Sequence, residues 1–270
     1  MLQSAHVEQA DPKMCLVLIA WRMHPRYPLI VAANRDEFYE RPTLPAHRWP
    51  GASGLVAGKD LDAGGTWMGV NAAGRFAAVT NFRELEKGPS NARSRGELVT
   101  GYLAGDVSAT AYADELANRA SLYRGYNLLL HDGGELYCTS NRATTLVRLP
   151  TGVHGVSNGP LDSAWPKVER GRQLLAEAIK RHGPDPDRLF ELLRDRTSPA
   201  DAALPDTGVG PEAERLLGTI AIDGTLAGRG YGTRSATLLF LDDRGHGKFI
   251  ERSRSVDGSW RQIALPIGTI

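Results

Sequence analysis

A chain of 270 residues that is 41% hydrophobic can bury a full core, and 32 Lys and Arg against 31 Asp and Glu provide no net field toward nucleic acid or an anionic membrane. Two cysteines, Cys15 and Cys138, are too few for a disulfide framework, and the seven dispersed histidines show no metal spacing. A reduced, cytoplasmic setting and no metal or other cofactor are therefore expected. The apolar run at residues 15–21 is too short to span a bilayer, and residues 1–13 lack the apolar stretch of a signal peptide, so no integral membrane association is expected.

Residues 1–13 carry neither helical nor strand periodicity and read as a disordered extension or a misassigned start, with residues 14–270 as a single domain. Residues 14–21 form a continuous apolar run of strand length. A turn through Pro25 and Pro28 leads to a second run at residues 29–33, and the two are predicted to pair antiparallel with both faces buried. Residues 41–65, rich in Pro and Gly, are expected to be a long surface loop bordering a site. Strands are predicted at 67–71 and 75–81. Ser94 and Glu97, three apart before Leu98 and Val99, match a capping box that opens a helix over 94–103.

A second helix is predicted over 109–119, then strands at 126–131, 135–139 and 144–149. Helices follow at 166–182 and 187–194, then a loop at 198–211 and an antiparallel pair at 233–242 and 248–255. Strands in three groups, with a helix pair between each group and the next, fit an α+β fold. Two antiparallel sheets with a helical layer on each outer side make a four-layer αββα sandwich.

Cys15 follows Met14 directly. If Met14 is an initiator and is removed, Cys15 becomes an amino-terminal nucleophile. Its own α-amine, ordinarily titrating near about 7.7–8.0, is placed to accept the thiol proton. By itself a Cys at a strand start is more often a small buried hydrophobe, and Cys138, mid-strand, reads as structural. Antiparallel pairing of the first two strands would bring Arg35 and Asp36 beside Cys15. There Arg35 can favour the thiolate and Asp36 can orient the α-amine; a polar turn with a local ion pair is the plainer alternative. Asn81 and Asn158 can each donate to an oxyanion or merely shape a turn. Arg234 opens an otherwise apolar strand, where a charge needs a partner or exposure.

Together these segments resemble the NRDE family, also called the transport-and-Golgi-organisation family. They are Met14-Cys15, the tetrapeptide Asn34-Arg35-Asp36-Glu37, Gly65-Thr66-Trp67, Val79-Thr80-Asn81-Phe82-Arg83, Ser94-Arg95-Gly96, Val156-Ser157-Asn158-Gly159 and Gly232-Thr233-Arg234-Ser235. The resemblance runs over about residues 14–255. That family in turn resembles the cysteine amino-terminal-nucleophile (Ntn) hydrolases of the penicillin V acylase and bile-salt hydrolase type. The likeness implies Cys15 as nucleophile, Arg35, two asparagines at Asn81 and Asn158, and a late arginine at Arg234. The acid falls on Asp36, or on Glu37, because those hydrolases separate Arg from Asp by two residues and here they adjoin.

The function so implied is hydrolysis of a non-peptide amide or thioester through an amino-terminal Cys. The alternative is a carrier on the same fold for haem or an acyl-CoA or lipid ligand, since the family is associated with lipid and haem homeostasis. Either way the expected partner is a small molecule, an amide, an acyl thioester or haem. If the residues before Cys15 persist, there is no free amine and the hydrolytic mechanism fails.

Overall fold

The computed structural model describes residues 14–51, 54–84, 89, 91–143 and 146–268. The extension read at residues 1–13 lies outside them.

The first described elements are β1 (Met14–Trp21) and β2 (Leu29–Phe38), followed by β3 (Thr43–Arg48), β4 (Val56–Asp60), β5 (Met68–Val70) and β6 (Phe76–Asn81). Helices α1 (Gly96–Ala104) and α2 (Ala109–Ala117) lead to β7 (Tyr126–His131), β8 (Leu136–Ser140), β9 (Val147–Arg148) and β10 (Gly152–Val156). Then come α3 (Pro166–His182), α4 (Pro186–Leu193) and α5 (Pro211–Leu217). Strands β11 (Asp223–Leu226), β12 (Arg229–Leu241), β13 (Gly247–Arg254) and β14 (Trp260–Ile267) complete the chain.

Two seven-stranded antiparallel sheets result. One runs β10-β1-β2-β12-β13-β14, with β11 on β12, and the other runs β3 to β9 in sequence order. Side-chain alternation divides β1 between two cores. Val17, Ile19 and Trp21 enter the layer between the sheets with Val31, Val56, Met68, Phe76 and Leu129. Leu16, Leu18 and Ala20 point the other way, under Val168 and Leu175 of α3 and Leu189 and Phe190 of α4. A third core packs Ala77, Val79, Leu128 and Leu130 under Leu98, Tyr102 and Leu103 of α1 and Tyr112 of α2. With helices outside both sheets, the architecture is the four-layer αββα sandwich. Coverage of both faces explains why β1 is a continuous apolar run; each such side chain contributes about 1.5–3 kcal/mol on burial.

Three expectations need correction. Residues 41–65 are not a plain loop, because β3 and β4 pair there, with an irregularity between Leu44 and His47. Their Pro-rich edge strand hides the alternation that a strand reading relies on. The capping box does not form. Ser94 Oγ accepts from the Gly96 amide at 3.3 Å, Arg95 precedes the helix without a side-chain cap, and Glu97 is taken by Arg93 at 2.6 Å. The loop expected at 198–211 ends in α5 at Pro211, and β10, β11 and β14 were not foreseen. β10 is short, β11 is mostly polar, and β14 has only its last residue buried, so none carries a strong apolar pattern.

Candidate active site

The register of the first two strands places Cys15 opposite Arg35 and Met14 opposite Asp36. Alternation sends Cys15, Arg35 and Glu37 toward the second sheet, while Asn34 and Asp36 point toward the helices. On the inter-sheet side Cys15 and Arg35 help line a cavity of about 340 Å³. The lining also includes Thr66 and Trp67, just ahead of β5, Val79 and Asn81 at the end of β6, and, at the mouth, residues 92–96 and Arg124. Two glycine backbones bring that mouth in close: an added Cβ on Gly65 would lie 2.6 Å from the Gly96 carbonyl carbon.

Arg35 is 5% exposed and stacks over Trp67 at 4.4 Å. Its guanidinium lies 3.6 Å from Glu37 and 3.7 Å from Asp60, and Nη1 has no hydrogen-bond partner. Arg41 donates twice to Asp60, at 2.8 and 3.1 Å, and approaches Glu37 at 3.5 Å. Burial pushes the Asp60 carboxyl up, but hydrogen bonds from Arg41 and the Ala63 amide outweigh it and hold the group below its ordinary value. Two arginines and two carboxylates thus form a network in the cavity lining, with Arg35 and Glu37 buried and Arg41 and Asp60 partly exposed.

Burial, reinforced by the Asp36 charge, pushes the Cys15 thiol up to about 12, against the pull of Arg35. In the chain with residues preceding it, this thiol is almost wholly protonated near neutral pH. A base within reach is required before it can act as a nucleophile.

The six residues singled out from sequence divide into two groups. Cys15, Arg35 and Asn81 line the cavity; Asp36, Asn158 and Arg234 stand behind it. Asp36 Oδ1 accepts from Thr233 Oγ1 at 2.6 Å, and burial raises its carboxyl above the ordinary range. Asn158, 1% exposed, donates to the Asn81 carbonyl at 2.8 Å and accepts from the Arg83 amide at 2.7 Å, so it braces the end of β6. Ser157 Oγ donates to the Cys15 carbonyl at 2.8 Å, tying the same segment to β1. Arg234 donates to the carbonyls of Phe38 and Arg41, both at 3.0 Å, and beside Arg35 it lines a smaller adjoining space. Glu37, the alternative acid, does line the cavity and holds Arg35. Cys138 is buried in β8. Among the described residues no cluster of three or more His, Cys, Asp or Glu is arranged to hold a metal ion.

The family model for Transport and Golgi organisation 2 matches residues 14–255. The chain belongs to that family. It is 35% identical over 258 residues to the human Transport and Golgi organization protein 2 homolog, covering 89% of this chain and 93% of the relative. The Drosophila melanogaster Transport and Golgi organization protein 2 is 26% identical over 279 residues, covering 93% and 97%. Among solved structures, a mutant of the conjugated bile acid hydrolase from Clostridium perfringens superposes with a TM-score of 0.51 at 10% identity, covering 95% of this chain and 98% of that one. At that identity the likeness speaks to the fold, which is the Ntn-hydrolase sandwich.

Sequence reasoning passed over Asp60, Arg41, Arg93, Arg95, Arg124 and Lys167. The first five lie at bends and strand ends, where a charged residue is unremarkable in sequence. Lys167 did leave a signal: with Gly171 and Leu175 it forms a row four residues apart on the buried face of α3, where a charge is out of place.

Proposed function

We propose that this chain, once residues before Cys15 are removed, is an Ntn-type hydrolase of a non-peptide amide or thioester. The observation that carries this reading is the placement of Cys15 in the cavity beside Arg35 and Asn81, residues brought together from β1, β2 and β6. The Cys15 sulfur attacks the substrate carbonyl carbon while the α-amine of Cys15 takes the thiol proton. The Asn81 side chain donates to the developing oxyanion. Collapse breaks the carbon–nitrogen or carbon–sulfur bond, the amine hands its proton to the leaving group, and water then hydrolyses the acyl-enzyme. Arg35 supports the thiolate, Asp36 orients the amine, and Asn158 and Arg234 act indirectly by holding Asn81 and the segment after β2.

A carrier function is the second reading, favoured by the arginines that line the cavity: Arg35, Arg41, Arg93, Arg95 and Arg124. Such a lining suits an apolar ligand bearing carboxylate or phosphate, such as haem or an acyl thioester. Intact mass spectrometry after incubation with N-acyl amides and acyl thioesters separates the two. The hydrolase reading predicts an acyl adduct on Cys15 that decays with release of the free acid. Ligand retention without an adduct, equal in Cys15→Ala, would overturn it in favour of the carrier.

A further inference from the structure

Lys167 sits in the first turn of α3, 2% exposed, and its Nζ has no hydrogen-bond partner. Both burial and the positive end of a helix disfavour a cation there. Asp36 lies on the same face of the first sheet, 1% exposed, and its Oδ2 also lacks a partner. Burial pushes the Lys167 ammonium down to about 8, and the Asp36 charge is the main influence that opposes this shift. Yet the two side chains form no direct ion pair, so each keeps one polar atom unused.

The strand register indicates what belongs between them. Met14 is opposite Asp36 and Cys15 opposite Arg35, so the backbone nitrogen of Cys15 lies at the Asp36 end of the pair. Helix α3 closes directly over β1: Gly171, one turn beyond Lys167, is so close that an added Cβ would stand 2.8 Å from the Leu18 side chain. The other charges facing Lys167 are largely spoken for. Besides Asp36 these are Arg83 and Glu214, which bind each other at 2.6 Å, and the Cys15 thiol; Arg35 is on the opposite face of the sheet, where it answers Glu37 and Asp60.

We propose that Lys167 is a positioning residue for the α-amino nitrogen of Cys15: Asp36 accepts a hydrogen bond from that nitrogen, and the Lys167 ammonium beside it keeps the nitrogen uncharged. This rests on the hydrolase reading, in which the amine is free and must be neutral to take the thiol proton. Asp36 alone would favour an ammonium, which cannot act as a base; Lys167 reverses that preference by like-charge repulsion.

The test is the titration of the amine itself, which needs no turnover. A chain beginning at Cys15 is released from a cleavable leader and keeps β2–β14 and every described helix. Its thiols are first capped as methyl disulfides, so that no S-acetyl group can pass to the neighbouring amine, and its amino-terminal peptide is then followed by acetic anhydride labelling from about pH 5 to 10. The parent is expected to titrate below the ordinary α-amine range of about 7.7–8.0. Lys167→Met should raise the midpoint by about one pH unit, a tenfold loss of free base below it, whereas Asp36→Asn should lower it and Lys167→Arg should restore the parent value. Opposite shifts cannot come from a general loosening of the fold, which would bring every variant to the ordinary value. An unchanged midpoint in Lys167→Met, or Lys167→Met and Asp36→Asn shifting the same way, overturns the proposal. A chain that titrates as expected yet forms no acyl adduct would sink the hydrolase reading while leaving the role of Lys167 standing.

Discussion

The β1–β2 pair has two unlike ends. At the turn end Trp21 faces Leu29, both essentially inaccessible, and the Trp21 ring meets His131 edge-on at 5.5 Å. At the open end Cys15 faces Arg35, and within four residues the chain buries Asn34, Arg35, Asp36 and Glu37, each at most 5% exposed. The turn end stabilises the sandwich by burial of apolar surface. The open end works against stability, since buried charges must be held by one another. One ladder of backbone hydrogen bonds spans both, so the stable end keeps the costly end in register.

If that division is right, damage at the turn end should cost stability and leave the chemistry of the remaining folded molecules intact. Trp21→Ala is expected to lower the unfolding free energy by about 3–5 kcal/mol in denaturant titration. Cys15 labelling per folded molecule should be unchanged.

Glu251 sharpens the picture from the charged end. Its carboxylate reaches from β13 to the other sheet, accepting from the Ala46 amide at 2.7 Å, and burial pushes it up from 4.5 to about 7. A folded value above the unfolded one means that its contribution is fully present below about pH 4.5 and is lost as pH rises through 7. Glu251→Gln keeps an acceptor for Ala46 without the charge. It should match the parent near pH 4.5 and exceed its stability at pH 8 by at most about 3 kcal/mol. Thermal unfolding of both proteins across that range reads the difference.

The smallest effect is expected at the other thiol. Cys138 is buried in the inter-sheet core, and burial pushes it up to about 12. Cys138→Ala should cost about 1 kcal/mol for the small void. Acyl-probe labelling, counted by intact mass, should not fall.

The same contrast governs what could be read from the sequence. The turn end was legible because a continuous apolar run covered on both faces has few alternatives, and α3 was legible from its apolar spacing. Pairing of the first two strands followed from their closeness, which was enough to bring Arg35 and Asp36 beside Cys15. Which side of the strand each would face required the register, and this separates Arg35 and Glu37, toward the cavity, from Asp36, toward α3. Asn158 and Arg234 could be picked out by residue type and context, but their carbonyl partners, Asn81, Phe38 and Arg41, depend on how distant segments meet. Asp60 was lost with β4, because the Gly and Pro around residues 41–65 mask the strands that hold it. Lys167 was visible only as a charge on an apolar helical row, a signal that a long flexible side chain near a helix end ordinarily explains by reaching solvent.

The central claim, that Cys15 acts through its own free amine, is tested most directly by comparing two forms of the protein. One form keeps residues 1–14, and the other begins at Cys15; both are reacted with the same thiol-directed acyl probe near neutral pH and followed by intact mass. Rapid acylation is expected of the form that begins at Cys15, with at least about tenfold slower reaction of the longer form and none in Cys15→Ala. Equal rates in the two forms, at matched accessibility of the thiol, would contradict it.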